Sequence, residues 1–189
     1  MAGSLIKVDE FTISSPVASV ILGGGSSGSS GLNASIDSTY DVYMVRYNNV
    51  TAGTDRSTLE IRVTVSGTPD TTSNYDSASK FFRANTAFSN VSATNEDRSS
   101  ITVQTGTTTN EQVNGLIYCF NFPNASEYSF LTIEGTMLDY NSQNTGLQGG
   151  IVNTVSQICD GLQFFFIDNG GSSANIEVGS QFVLYGLKK

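Results

Sequence analysis

Any acid–base or nucleophilic chemistry in this sequence has to be done without histidine, because its 189 residues contain none. That removes the side chain that titrates nearest neutral pH and the commonest zinc ligand. Ser–His and Cys–His nucleophile pairs go with it. Carboxylates remain, and two of them facing each other across a sugar ring can hydrolyse a glycosidic bond. Asp9 with Glu10, and Glu96 with Asp97, are adjacent in the chain. On strands such neighbours point to opposite faces. Asp37 with Asp41, or Glu60 with Glu134, would have to be brought together by the fold, and a scattered carboxylate is ordinarily a solvated one. The expectation is a protein that is not an enzyme, with no catalytic residues and no cofactor.

Other groups lead to the same place. The oxygen-rich stretches Asn95-Glu-Asp97 and Asp168-Asn169 could offer ligands to calcium, but neither has EF-hand spacing, so solvated turns are expected and no metal site. The two cysteines, Cys119 and Cys159, are too few and too far apart for a metal centre. Cys119 falls inside an apolar strand pattern, which suits a buried thiol, and whether the two pair stays open. Gly23-Gly-Gly25 lacks the lysine and the strand-to-helix setting of a phosphate loop. Tyr40, Tyr43, Tyr47, Tyr75, Tyr128 and Tyr140 could stack on sugars, but most lie in strand patterns that favour a core or a subunit seam.

Charge narrows the partners. Nine Lys and Arg stand against seventeen Asp and Glu, a net charge of -8. Binding a phosphate backbone needs clustered cations, so no nucleic-acid partner is expected. No apolar run approaches the roughly 18 residues of a membrane helix, so no membrane partner is expected either. No basic segment leading into a long apolar one opens the chain, so no secretory signal is expected.

The elements that must position these residues are strands. Residues 59–65 alternate cleanly, with Leu59, Ile61, Val63 and Val65 on one side and Glu60, Arg62 and Thr64 on the other. This predicts one buried and one wet face in an antiparallel sheet. Further strands are expected at 5–13, 17–22, 37–50, 80–83, 101–105, 115–122, 128–138, 150–156, 162–167 and 182–187. Residues 85–100 and 141–150 read as loops, and Gly135 as the mark of a bulge. No stretch holds a helical period. Strands separated by Ser, Thr, Asn and Gly turns argue for an all-β fold, a jelly-roll-like antiparallel β-sandwich. Residues 1–35, with the Gly/Ser tract 23–31, read as an extended N-terminal arm and loop, and 36–189 as the body.

Two strands are apolar on both faces. Phe182 and Leu184 alternate with Val183, Tyr185 and Leu187, and Phe164-Phe-Phe166 puts rings on both sides of another strand. A strand of this kind is either buried twice or covered by a neighbour. Phe164, Phe166, Val183, Tyr185 and Leu187 are therefore the expected subunit contacts of a homo-oligomer, with residues 5–13 as a docking arm.

Four stretches carry a resemblance. They are Ile36-Asp-Ser-Thr-Tyr-Asp-Val-Tyr43, Thr72-Ser-Asn-Tyr-Asp76, Phe122-Pro-Asn-Ala-Ser-Glu-Tyr-Ser-Phe130 and the ending Gly179-Ser-Gln-Phe-Val-Leu-Tyr-Gly-Leu-Lys188. Over about residues 36–189 the chain resembles small bacteriophage virion proteins, a group common among marine cyanophages. The resemblance implies a jelly-roll-like sandwich, often trimeric, displayed on the virion after assembly in the host cytoplasm. It implies capsid decoration, cementing neighbouring capsomers through contacts with the major capsid protein. The alternative is a tail fibre component or a carbohydrate-binding receptor module on the tail, with a host surface glycan as partner. The resemblance transfers no catalytic residues.

Overall fold

The computed structural model describes residues 4–25, 34–85 and 88–188. They form an all-β sandwich of fourteen strands, with no helix among the described residues. The strands are β1 (Ser4–Thr12), β2 (Ser19–Gly23), β3 (Val42–Val50), β4 (Thr58–Val65), β5 (Thr68–Pro69), β6 (Tyr75–Arg83) and β7 (Phe88–Glu96). Then come β8 (Ser99–Ser100), β9 (Val113–Phe120), β10 (Ser129–Leu138), β11 (Asn144–Asn153), β12 (Gly161–Ile167), β13 (Ser173–Ala174) and β14 (Gln181–Lys188). One sheet has eight strands in the order β1-β14-β3-β9-β10-β11-β6-β7. The other has six, with β12 and β4 at its centre, β2 and β13 along β12, and β5 and β8 along β4. Every pairing is antiparallel.

The core lies between the two sheets, and alternation along each strand fills it. From the large sheet Tyr43, Val45 and Tyr47 of β3, Ile117 and Cys119 of β9, Leu131 and Ile133 of β10, and Phe182 and Leu184 of β14 turn inward. Leu59, Ile61 and Val63 of β4 and Leu162, Phe164 and Phe166 of β12 meet them from the small sheet. Phe164 is the wedge. Its ring centroid lies 4.8 Å from that of Phe182 and 6.5 Å from that of Tyr47. Both cysteines are buried in this core as free thiols.

Tyr47 explains two glycines. Gly115 and Gly135 face each other across β9 and β10, in a ladder that runs through both without a shift. A Cβ on Gly115 would stand 2.2 Å from the Tyr47 hydroxyl, and one on Gly135 3.0 Å from it. Gly135 therefore marks the seat of a buried ring, where the sequence pattern had suggested a bulge. Register shifts occur elsewhere, between Lys7 and Asp9 in β1, Tyr47 and Val50 in β3, and Tyr75 and Ser77 in β6.

The N-terminal arm is part of the body. Residues of β1 pair with β14 from Ser4–Lys188 to Thr12–Gln181, and β2 pairs with β12. Asp9, fully buried at the bulge, accepts the Gly23 N–H at 3.0 Å and so links the two strands. Leu5–Thr12 thus docks on its own chain, because the C-terminal strand needs a ladder partner on that side. Of the Gly/Ser tract, residues 26–33 lie outside the described residues.

Further expectations change, and residues 101–105 form no strand, only an isolated bridge from Thr105 to Ser57. Residues 85–100 hold the nine-residue β7, and 141–150 contains most of β11. β7 is almost wholly exposed and lacks alternation, so it is held by its backbone ladder to β6 rather than by an apolar face. The expected wet face of β4 is also absent, since Glu60 and Thr64 are buried. Ser100 of β8 stands opposite Glu60, and Thr64 donates to Asp160 at 2.6 Å.

Truncating the wedge is expected to be severe. Phe164→Ala should cost about 3–5 kcal/mol in urea unfolding, as large buried aromatic truncations do. Gly115→Ala should cost about 1–3 kcal/mol, because the added Cβ meets both the Tyr47 ring and, at 2.4 Å, the Glu134 carbonyl oxygen, so ring and backbone must both shift.

Candidate functional site

Two features stand apart from the packed interior: an apolar band on the outer face of the large sheet, and a polar cleft beside the small one. The band follows from register. Leu5 pairs with Leu187, and Val42, Phe120, Phe130 and Val152 are successive partners across β3, β9, β10 and β11. The next row carries Tyr185, Met44 and Tyr118. All of these lie on the side opposite the core. Leu5 is 53% and Phe130 45% exposed. A row of Glu10, Arg46, Glu134, Gln148 and Lys80, with Val183 and Leu116 between them, borders the band. An apolar centre with a charged border is how protein interfaces are built.

The expected subunit contacts divide on this geometry. Tyr185 and Leu187 lie in the band and are half-buried. Phe164 and Phe166 are fully buried in the core of the same chain, and Val183, on the outer face, is only 2% exposed. None of these three presents a surface to a partner. Phe165, the third ring of the run, points away from the core but is covered by the Arg62 guanidinium, 4.5 Å from its centroid. The small sheet therefore closes its own outer face here. Sequence spacing located the band at its β14 end only. Phe120, Phe130 and Val152 join it through pairings that no local pattern encodes.

The cleft, of about 630 Å³, opens between β6–β7 and the β4–β8 edge. Glu60, Glu96 and Asp139 line it, with Arg83, Arg98 and Tyr140. Glu60 accepts a hydrogen bond from the Ser100 hydroxyl at 2.8 Å. Burial pushes its carboxyl above the usual range, against that hydrogen bond and the neighbouring Arg98. Asp139 is committed to the chain: its Oδ1 accepts the Asn141 and Gln143 N–H groups, and Arg83 lies 4.0 Å from Oδ2. Arg98 is held by Asp97, which also binds Arg62 at 2.8 Å.

Five other carboxylates singled out in the sequence, Asp9, Glu10, Asp37, Glu134 and Asp168, are held by partners within the chain. Asp9 turns inward while Glu10 turns out to Lys7, 2.9 Å away. Glu134 lies on the outer face of the large sheet, hydrogen-bonded by Gln148, and does not meet Glu60. Hydrogen bonds from Thr39 hold the Asp37 carboxyl below its usual range, and Tyr43 also donates to it at 2.8 Å. Asp168 Oδ1 caps its turn by accepting the Gly170 and Ser172 N–H groups. Among the described residues no three Cys, Asp or Glu come together to hold a metal. The tyrosines form no common platform, since Tyr43, Tyr47 and Tyr75 are in the core.

Two measurements check these assignments. Glu60→Gln should raise the melting temperature at pH 7, because the variant no longer buries a charge, and the gain should vanish near pH 4, where the wild-type carboxyl is also neutral. Burial raises both thiols, that of Cys159 to about 11. The folded chain then holds the thiol protons above their ordinary value near 9, so these groups leave stability intact below that pH and lower it as pH rises towards 11. Ellman's reagent should find no reactive thiol in the native protein at pH 8 and two in urea. No protein-family model matches this chain, and no curated protein or solved structure matches it.

Proposed function

We propose that this chain is a non-enzymatic structural protein of a bacteriophage particle, a jelly-roll-like capsid decoration protein that cements neighbouring capsomers. The observation that carries this reading is the apolar band. A monomer that left Leu5, Leu187, Phe120, Phe130 and Val152 in water would be prone to associate. Covering the band with a second copy or with the capsid surface removes that cost and adds buried area at each contact, about 2,000 Å² or more in an obligate interface. Closed threefold symmetry would match the threefold positions of a capsid. The sequence resemblance supports the same role and place.

The test is assembly. Light scattering on purified protein should give a trimer at micromolar concentration, and purified virions should carry hundreds of copies. The double variant Phe130→Glu/Leu187→Glu should dissociate the oligomer into monomers that keep the wild-type far-UV circular dichroism, since neither side chain is in the core, with a melting temperature that no longer rises with protein concentration. A wild-type monomer absent from virions would overturn the reading.

A further inference from the structure

The cleft beside β4 exists because one patch of an inner sheet face is built from small residues. Along β6 the inner positions read Tyr75, Ser77, Ser79, Phe81 and Arg83. Ser79 pairs with Gly149 on β11, and Ser77 with Ala93 on β7. Elsewhere on this face the same layer holds Tyr47, Phe182, Leu131 and Ile133. Protein interiors close-pack, and three small side chains beside a glycine prevent it here. Leucine or phenylalanine at Ser79 would fill the space. The sequence keeps about 630 Å³ open instead, a size that suits a small ligand.

The lining states which ligand. Thr58, Ser77, Ser79 and Ser100 offer hydroxyls, which both donate and accept hydrogen bonds. Phe81 and Val91 add apolar walls. Glu60 is 6% exposed and, among the described residues, receives one protein donor, the Ser100 hydroxyl on Oε1. Ser99 Oγ, buried at the same wall, has no partner. The two arginines here are matched by Asp97 and Asp139, so the cleft holds no unmatched cation to favour an anionic ligand. We propose that this cleft binds a neutral sugar residue, its hydroxyls on the Glu60 carboxylate and the β6 serines and its C–H face against Phe81. The residue could be a free sugar or the end of a glycan chain. This site is on the opposite side of the large sheet from the apolar band and does not rest on the assembly reading.

The experiment is a ¹H–¹⁵N titration of the full chain with glucose, galactose, mannose, N-acetylglucosamine, maltose and lactose, beside a second arm using maltohexaose, mannohexaose and chitohexaose. Saturable shifts at Glu60, Ser77, Ser79 and Thr102 are expected. Shifts in the first arm identify a free sugar as sufficient, and shifts in the second alone identify a glycan-chain end. Glu60→Gln should weaken binding about tenfold, the loss of one charge-assisted hydrogen bond. Ser79→Leu should abolish binding while the melting temperature holds or rises, which separates loss of the site from loss of the fold. Absence of saturable shifts in both arms, or undiminished binding by a folded Ser79→Leu variant, overturns the proposal.

Discussion

The sandwich depends on Phe164 meeting Tyr47 and Phe182. The first ring belongs to the small sheet and the other two to the large one, so this contact joins the layers. It is also a long-range contact, between residues more than a hundred positions apart in the case of Tyr47 and Phe164. Burying such rings supplies most of what an aromatic core can supply, and tilted pairs add somewhat to the area term. Around them the backbone has been cleared to fit: Gly115 and Gly135 leave the seat for Tyr47, and Gly186 lies under the Tyr40 ring. The glycines of these strands give up side-chain packing of their own so that a neighbouring ring can lie flat on the sheet.

Polar staples hold what the rings do not reach. Asp9 ties β1 to the end of β2, so the first two strands link the two sheets. Asp160 does similar work at the start of β12. Its carboxylate accepts from Thr64 and from the Gly67 N–H, while its carbonyl accepts from Gly24 and Ile36. A chain in which only 14% of residues are charged uses its carboxylates largely as hydrogen-bond acceptors for backbone. Charged acceptors of backbone N–H groups are stronger than neutral ones, which suits a fold with so many turns. Glu60 departs from this economy. It is buried with one hydrogen-bond donor, the Ser100 hydroxyl, and with Arg98 and Arg62 nearby, in a wall rich in small polar side chains, and stability alone does not account for that.

The two faces of the large sheet therefore have different uses. Its inner face closes the core over most of the strands and opens to a polar cleft at β6–β7. Its outer face carries an apolar band from β1 to β11, edged by charge. The edge strand β1 is broken by a bulge, and the edge strand β7 is mostly polar, with Val91 exposed and Phe88 set edge-on against Phe82. Bulged and polar edge strands limit unplanned edge-to-edge pairing between chains.

The sequence by itself determined the fold class, the ends of the long apolar strands and the absence of histidine chemistry. Those follow from local periodicity and composition, which act residue by residue. It also showed that β14 is apolar on both sides, and the structure explains both: Phe182 and Leu184 fill the core, while Tyr185 and Leu187 begin the outer band. Only the tertiary structure decided which two-sided strand is closed by its own chain. Phe164–Phe166 looked the same in sequence, but Arg62 from the neighbouring strand covers Phe165. Strand β7 and the seat of Tyr47 were illegible for the same reason. A ladder hydrogen bond is made by backbone that every residue shares, and a missing Cβ has meaning only when a ring from another strand arrives above it.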